Sequence, residues 1–518
     1  MARVSGRARS GALTLVTVLW AGVLLGWLQL TPLYRAADET LHVDLLLHVL
    51  HGDGYPPPGA LELDPAVRAS YPLAGLSTQE RPDLAALFPL PVSTTDVPPR
   101  AQSFDELDPV PGLPAIRNQM TQHPPLYYAV VAGAARLVPG FDDRSFVTQV
   151  GVLRLLSAAL LLPLPLLAAA AARRLGAGPP VATAAALLPL AVPQLAHVGA
   201  SLNNDVLLVL LGAAVAAPLL GVGRGDASRR TALVVGGLLG LALLTKALAV
   251  GLLAWAALAY ALALLGPARS QRATVAGSAL LAAAVAMVVG GWWWVVNLVR
   301  YGTVQPSGTA PLPVRDTEPD LVEFTWTFLT RVTASTWGSF GWLEVRLPGA
   351  AALLGLAGVL AGLLLFLLRR PAQPWARAAG AAAVAGFTLQ TAVVYQQSLK
   401  NYLRGGYLAG LQGRYLFAFV AVLAALVAVG AAQALPARAR RSAPLFALAA
   451  AVGMQAVGVL TALRGFWWPD GEGLRRALAI QAAWAPFPRE TTLLAGLAGV
   501  AAVVLLVRAT AVDGRMQA

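Results

Sequence analysis

The sequence predicts an all-α, polytopic integral membrane protein with about twelve transmembrane helices. Three observations predict it. Apolar residues fill 57% of the 518 positions and charged residues only 12%, with a mean hydropathy of +0.65, whereas soluble proteins are about 45–50% apolar and about 25% charged. Apolar runs of about 20 residues, each long enough to cross a hydrocarbon core about 30 Å thick, recur along the whole chain. The basic residues gather in small clusters in alternate connections between those runs, as the positive-inside rule asks.

In chain order, spans are expected near residues 11–31, 150–172, 180–198, 204–221, 231–244, 247–266, 273–297, 348–368, 377–396, 414–433, 442–461 and 490–508. Arg3, Arg7 and Arg9 precede the first, whose run from Gly11 to Leu30 is long for a cleavable signal, so a retained first span is expected. With the N-terminus inside, the inner connections carry Arg173 and Arg174, then Arg224, Arg229 and Arg230, then Arg269 and Arg272, then Arg369, Arg370 and Arg377, then Arg438, Arg440 and Arg441, and finally Arg508 and Arg515. Every inner segment is basic, which places both termini in the cytoplasm of a multi-pass plasma-membrane protein. Only Asp226 and Asp513 of the 25 acidic residues fall inside, so candidate general bases concentrate on the extracytoplasmic side.

Two outer segments are long, Thr31 to about Gln149 after span one and Gly302 to Pro348 after span seven. The first is rich in proline and acids, which favours ordered loops and short helices over a separate core, and its apolar stretch Pro124 to Leu137 is too short to cross. A half-buried helix on the outer side is expected there. The charge of +13 is accounted for by the inner loops, which leaves no case for nucleic acid, and the absence of cysteine excludes a disulfide scaffold, a thiolate metal site and a cysteine nucleophile. Five histidines leave little for a metal cage.

Four constellations carry chemistry-bearing residues. In Arg35-Ala-Ala-Asp38-Glu39-Thr-Leu-His42, a helix would put Asp38 and His42 on one face and turn Glu39 about 100° away. A carboxylate partly desolvated at a water–membrane boundary has a raised pKa and suits general-base work, although a solvated helix end reads equally simply. His123-Pro124-Pro125 opens a helix whose N–H groups and dipole favour an anion, against the plainer reading of an interfacial helix start. Asn203-Asn204-Asp205, at the outer mouth of spans three and four, is expected to face Thr245-Lys246, since charges at membrane depth are costly; a snorkelling lysine is the alternative. Arg404, in the loop from Lys400, and Gln412-Gly413-Arg414-Tyr415, where a span enters the bilayer, offer guanidinium groups to a lipid phosphate. Trp292, Trp293, Trp294, Trp326, Trp337, Trp342, Trp467 and Trp468 fall on the outer side as belt residues or as an aromatic wall for a sugar, with Glu344 and Asp316 nearby.

The order of these motifs, from the acidic pair through His-Pro-Pro-Leu-Tyr-Tyr, Asn204-Asp205, Leu-Thr-Lys246, Trp293-x-x-x-Asn297 and Gln-Gly-Arg414-Tyr415, resembles the GT-C glycosyltransferases. The likeness is to the broad group of protein O-mannosyltransferases and bacterial aminoarabinose transferases. It covers most of residues 11 to 433. It implies a GT-C-like core over residues 1–433, with outer loops 32–149 and 302–347, followed by C-terminal transmembrane helices over 434–518. It also implies transfer of a hexosyl or pentosyl group from a polyprenyl-phosphate donor to an extracytoplasmic glycan, lipid or protein of the cell envelope. The acid that the family keeps at its reaction centre matches Asp38 and Glu39. Asp38 is expected as base and Glu39 as second choice or acceptor positioner. Arg414, Lys246 and His123 are expected around the phosphate, with His42, Asn204, Asp205, Arg404 and Tyr415 as further substrate contacts. A single inverting displacement follows. The chain has no Asp-x-Asp pair in the outer loop between spans three and four, where only Asp205 stands, and no large soluble C-terminal domain, so a divalent metal is left open but not supported and no other cofactor is expected. The rival readings are a lipid or sugar transporter or flippase, and a non-catalytic subunit of an envelope complex.

Overall fold

The computed structural model describes residues 2–76, 90–112, 115–266, 269–308, 313–314, 318–369 and 373–515, so Asp316 and Arg370 lie outside the described residues. Helices dominate, and the strands among the described residues are one two-stranded antiparallel hairpin, Ser339–Phe340 with Val345–Arg346. Among the described residues, ten helices are long and apolar enough to cross a membrane: Gly11–Leu30, Phe146–Arg174, Asp205–Gly223, Ala247–Leu265, Arg272–Tyr301, Gly349–Leu368, Pro374–Gly405, Gly413–Ala434, Ala443–Trp467 and Arg489–Thr510. The fold is all-α and polytopic.

The count differs from about twelve for two physical reasons. The span expected at 180–198 is broken into Pro179–Ala191 and Pro193–Gly199, bent by 72°. Pro193 has no N–H to give the preceding turn, and Val192 before it is extended at φ −112° and ψ 92°. The segment expected at 231–244 is the helix Arg229–Leu243, only 15 residues long, because Thr245 and Lys246 end it. Other boundaries move outward. Lys400 to Arg404, expected in a loop, belong to the last turns of the 32-residue helix Pro374–Gly405.

Small residues bring the crossing helices together, as they do where lipid tails remove the hydrophobic drive between helices. A Cβ on Gly212 would overlap the Ala418 carbonyl, and one on Gly430 the Gly362 carbonyl. Gly22 of the first crossing helix lies against the last, where a Cβ would stand 3.0 Å from the Ala495 carbonyl. Between the first two crossing helices the chain forms the helices Glu39–His51 and Pro65–Leu73, two short 3-10 turns and the ten-residue apolar helix Leu126–Ala135. Between Tyr301 and Gly349 it forms the helix Leu321–Trp337 and the hairpin.

Candidate functional site

The site begins at a turn that the surrounding elements hold in place. Residues 31–38 leave the first crossing helix, and within them Tyr34 and Asp38 adopt positive φ, 62° and 64°, a region that non-glycine residues enter at a cost. Tyr34 Oη is 2.9 Å from Ser70 Oγ, and its carbonyl accepts the Trp342 Nε1–H at 2.9 Å. His197 bridges the two long connecting segments: its Nε2 accepts the Gly341 N–H at 3.2 Å, so Nδ1 carries the proton that it shares with Thr31 Oγ1 at 3.1 Å. Arg35 reaches Glu344 at 3.6 Å. Burial pushes the Glu344 carboxyl above its usual range against the pull of backbone N–H groups and Arg35.

Asp38 caps the helix Glu39–His51 from this left-handed position, so it precedes the helix and is not part of the face expected for Asp38 and His42. Its side chain remains 31% exposed, and its Oδ2 accepts the Arg414 Nη2–H at 2.8 Å. Glu39 has the opposite fate. Both its oxygens accept from Arg154, with Nε at 2.7 Å from Oε1, and the pair is fully buried. The Leu202 N–H adds a third bond to Glu39, while Arg154 also donates to the carbonyls of Leu28, Thr31 and Pro32. The structure therefore spends Glu39 on a closed ion pair.

Arg414 continues the chain of charge inward. Its Nε is 3.5 Å from Asp205 Oδ2, and Asp205 Oδ1 accepts from Lys246 Nζ at 2.7 Å. Lys246 is 7% exposed, so it is paired at depth and does not snorkel. Both cations stand over the Tyr415 ring, Lys246 at 5.1 Å and Arg414 at 5.4 Å from its centroid. Two cations and two carboxylates thus alternate from Asp38 at the rim to Lys246 inside. Asp205 Oδ2 and Arg414 Nε meet only as an ion pair, and four further buried atoms around them have no hydrogen-bond partner: Asn203 Oδ1, Asn204 Nδ2, His123 Nδ1 and Trp293 Nε1. Most buried polar atoms in folded proteins are paired, so this concentration marks a place built for something polar.

An aromatic group borders the cluster. His42 Nδ1 is 3.0 Å from Tyr128 Oη, and the two rings stack at 5.8 Å. Tyr55 donates its hydroxyl to the His123 carbonyl at 2.6 Å and sets its ring 6.0 Å from Tyr128 and 5.9 Å from Trp293. Burial, then the charge of Lys246, holds the His123 imidazole down to about 3, and burial keeps His42 well below its ordinary value. Neither ring is a cation at neutral pH. The helix after Pro125 also spends its first N–H, that of Leu126, on the Leu244 carbonyl at 3.1 Å.

A family model described as "Predicted membrane protein (DUF2142)" matches residues 21–423. The chain belongs to this family. Asp38, His123, Asp205, Lys246 and Arg414 all lie within the part that this DUF2142 model matches. Two crystal structures of ArnT from Cupriavidus metallidurans are similar to the chain at 15% identity. The apo structure has a TM-score of 0.46 over 94% of this chain and 75% of that one, and the structure bound to undecaprenyl phosphate has 0.45 over 98% and 78%. No curated protein matches the chain.

In this DUF2142 member the structure brings together Asp38, His42, His123, Asn204, Asp205, Lys246, Arg414 and Tyr415. It does not bring in Arg404, exposed on the last turn of its helix. Among the described residues, no group of three or more histidines and acids is placed to hold a metal ion. Sequence reasoning passed over Arg154, His197 and the Arg35–Glu344 contact. An arginine inside an apolar run was the available signal for the first of these, since such a charge is retained only with a partner.

Proposed function

We propose that the chain is a GT-C-type membrane glycosyltransferase that moves a sugar from a polyprenyl-phosphate donor to an extracytoplasmic acceptor of the cell envelope. The observation that carries the reading is Asp38, a partly exposed carboxylate held at 2.8 Å by a cation of a buried ion cluster. A base and an anchor for a leaving phosphate stand there within one side chain of each other. In this reading residues 1–433 form the catalytic core, and Asp38 faces the extracytoplasmic side.

The chemistry follows from the residue types. The acceptor hydroxyl gives its proton to Asp38 as its oxygen attacks C1 of the sugar. The C1–O bond to phosphate breaks on the opposite side with inversion, and the electron pair leaves on the lipid phosphate, whose charge Arg414 and Lys246 meet. Phosphate is a good leaving group, so the step needs no acid partner. Asp205 contacts both cations and is their positioning residue; Tyr415 lies beneath them. Glu39, closed on Arg154, fixes where the Asp38 turn ends, and Arg154 holds its start through the Thr31 and Pro32 carbonyls.

The test is direct. Purified protein, polyprenyl-phosphate sugars and candidate acceptors are assayed for transfer, with wild type and Asp38→Asn side by side. Transfer by wild type with loss in Asp38→Asn is the expected result, and turnover unchanged in Asp38→Asn sinks the mechanism. A transporter is the second reading, favoured by the 72° break at Val192, since broken helices mark many transport sites. Vectorial movement of the lipid sugar in proteoliposomes without bond formation selects it.

A further inference from the structure

The polar groups of the site fall into two chemically different halves. Lys246 and Arg414 are cations already matched by Asp205 and Asp38. Across from them stands a neutral, aromatic half. We propose that His123, Trp293 and Tyr55 form a subsite for the sugar ring of the donor, which sets donor selectivity while Lys246 and Arg414 hold only its phosphate. This rests on the glycosyltransferase reading above.

Three observations carry it. His123 Nδ1 and Trp293 Nε1 are buried without a hydrogen-bond partner, and unpaired buried polar atoms are rare enough to point to a ligand. Tyr55 joins them: its hydroxyl is spent on the His123 carbonyl at 2.6 Å, and its ring lies 5.9 Å from that of Trp293. It therefore offers a face and no free polar tip. Contacts at the helix end that leads into Lys246 place this half against the ion cluster: the Leu126 N–H donates to the Leu244 carbonyl at 3.1 Å and the Trp294 Nε1–H to the Leu243 carbonyl at 3.2 Å.

The chemistry of the set selects the ligand. A sugar ring presents neutral hydroxyls and apolar C–H faces, which a neutral imidazole, an indole N–H and flat aromatic faces match. A phosphate asks for charge, and His123, uncharged at neutral pH, supplies none. The expectation that His123 joins the phosphate anchors is replaced by a role one ring further along the donor. Asn204, 1% exposed with its Nδ2 unpaired, stands on the cluster side as a further neutral donor.

The test compares two kinds of probe on the intact protein in nanodiscs. One is undecaprenyl phosphate alone. The other is a panel of undecaprenyl phosphates carrying glucose, mannose, arabinose or 4-amino-arabinose. Wild type should bind at least one glycosylated lipid about tenfold more tightly than the bare lipid. His123→Phe and Trp293→Phe should erase that preference and leave bare-lipid affinity within about twofold, whereas Lys246→Met should weaken both probes together. His123→Asn, which restores a neutral hydrogen-bonding side chain, should recover part of the preference. Thermal unfolding checks each variant, and Trp293→Phe, which keeps a ring and removes only the N–H, answers alone if His123→Phe does not fold. Equal loss for bare and glycosylated lipid in the His123 and Trp293 variants, or an undiminished preference, overturns the subsite while the phosphate site stands. A wild type that binds bare lipid but gains nothing from any sugar overturns it as well. A wild type that binds no polyprenyl phosphate at all removes the glycosyltransferase reading and this subsite with it.

Discussion

Asp38 and Glu39 adjoin in sequence, and their surroundings give them opposite work. Asp38 keeps one side toward solvent and one toward Arg414, so it has a lone pair within reach of a substrate; Glu39 does not, because it is fully buried and Arg154 and the Leu202 N–H occupy both its oxygens. Asp38→Asn should lower turnover about 10²–10⁴-fold, the usual span of a general base, measured by release of the polyprenyl phosphate. Arg154→Leu should cost roughly 3–5 kcal/mol in thermal unfolding, because it strands a buried carboxylate. Pairing it with Glu39→Leu should recover only part of that loss, since the Leu202 N–H and the carbonyls of Leu28, Thr31 and Pro32 then lose their partners too. The sequence made Asp38, Asp205, Lys246 and Arg414 visible because a charge at the end of an apolar run demands a reason. The different fates of Asp38 and Glu39 were not legible. They depend on a left-handed φ at Asp38 and on a partner 115 residues away from Glu39.

Elements of the first outer segment are tied at Asp44, in the helix Glu39–His51. Its oxygens accept the Asp64 N–H at 2.7 Å and Asn118 Nδ2 at 2.6 Å, which knots that helix to the start of Pro65–Leu73 and to the turn before His123. Burial outweighs both bonds and pushes the Asp44 carboxyl from 3.8 up to about 7. The folded form therefore binds its proton more tightly than the unfolded chain, and its stabilising effect is complete below 3.8 and fades as pH rises through about 7. His123 acts with the opposite sign: held at about 3 against 6.5 unfolded, it stabilises above 6.5 and loses that effect as pH falls toward 3. The two slopes oppose each other in wild type. The difference in unfolding midpoint between wild type and Asp44→Asn isolates the first: it should shrink in favour of wild type as pH climbs from about 4 to about 7 and stay flat above. A second element-level contact reaches the site directly. Gly212 packs so closely on Ala418 that Gly212→Ala must push back the segment carrying Arg414, costing about 1–3 kcal/mol in stability and weakening donor binding. Hydropathy located these helices but could not place their breaks. It counts apolar residues, while the bend at Pro193 and the long reach of Pro374–Gly405 are set by a missing N–H and by helix continuing past the apolar stretch.

Over the whole molecule, the arginine pattern predicts one orientation for the crossing segments, with the N-terminus inside, and the lack of cysteine makes that orientation easy to test. In intact cells, a membrane-impermeant thiol reagent should label Asp105→Cys, exposed in the first outer segment, and should reach exposed Arg438→Cys only after permeabilisation. The reverse pattern overturns the placement of Asp38 outside. The all-α architecture was legible because it needs only composition and run length, whereas the site is a meeting of the first loop with spans far along the chain. The Glu39–Arg154 bolt bears on biogenesis. Glu39 leaves the ribosome 115 residues ahead of Arg154, so the acid has no partner until the second crossing helix has been made. The pair can close only when that helix docks beside the turn that follows the first. A nascent chain halted before Phe146 would carry the first loop with its lock still open.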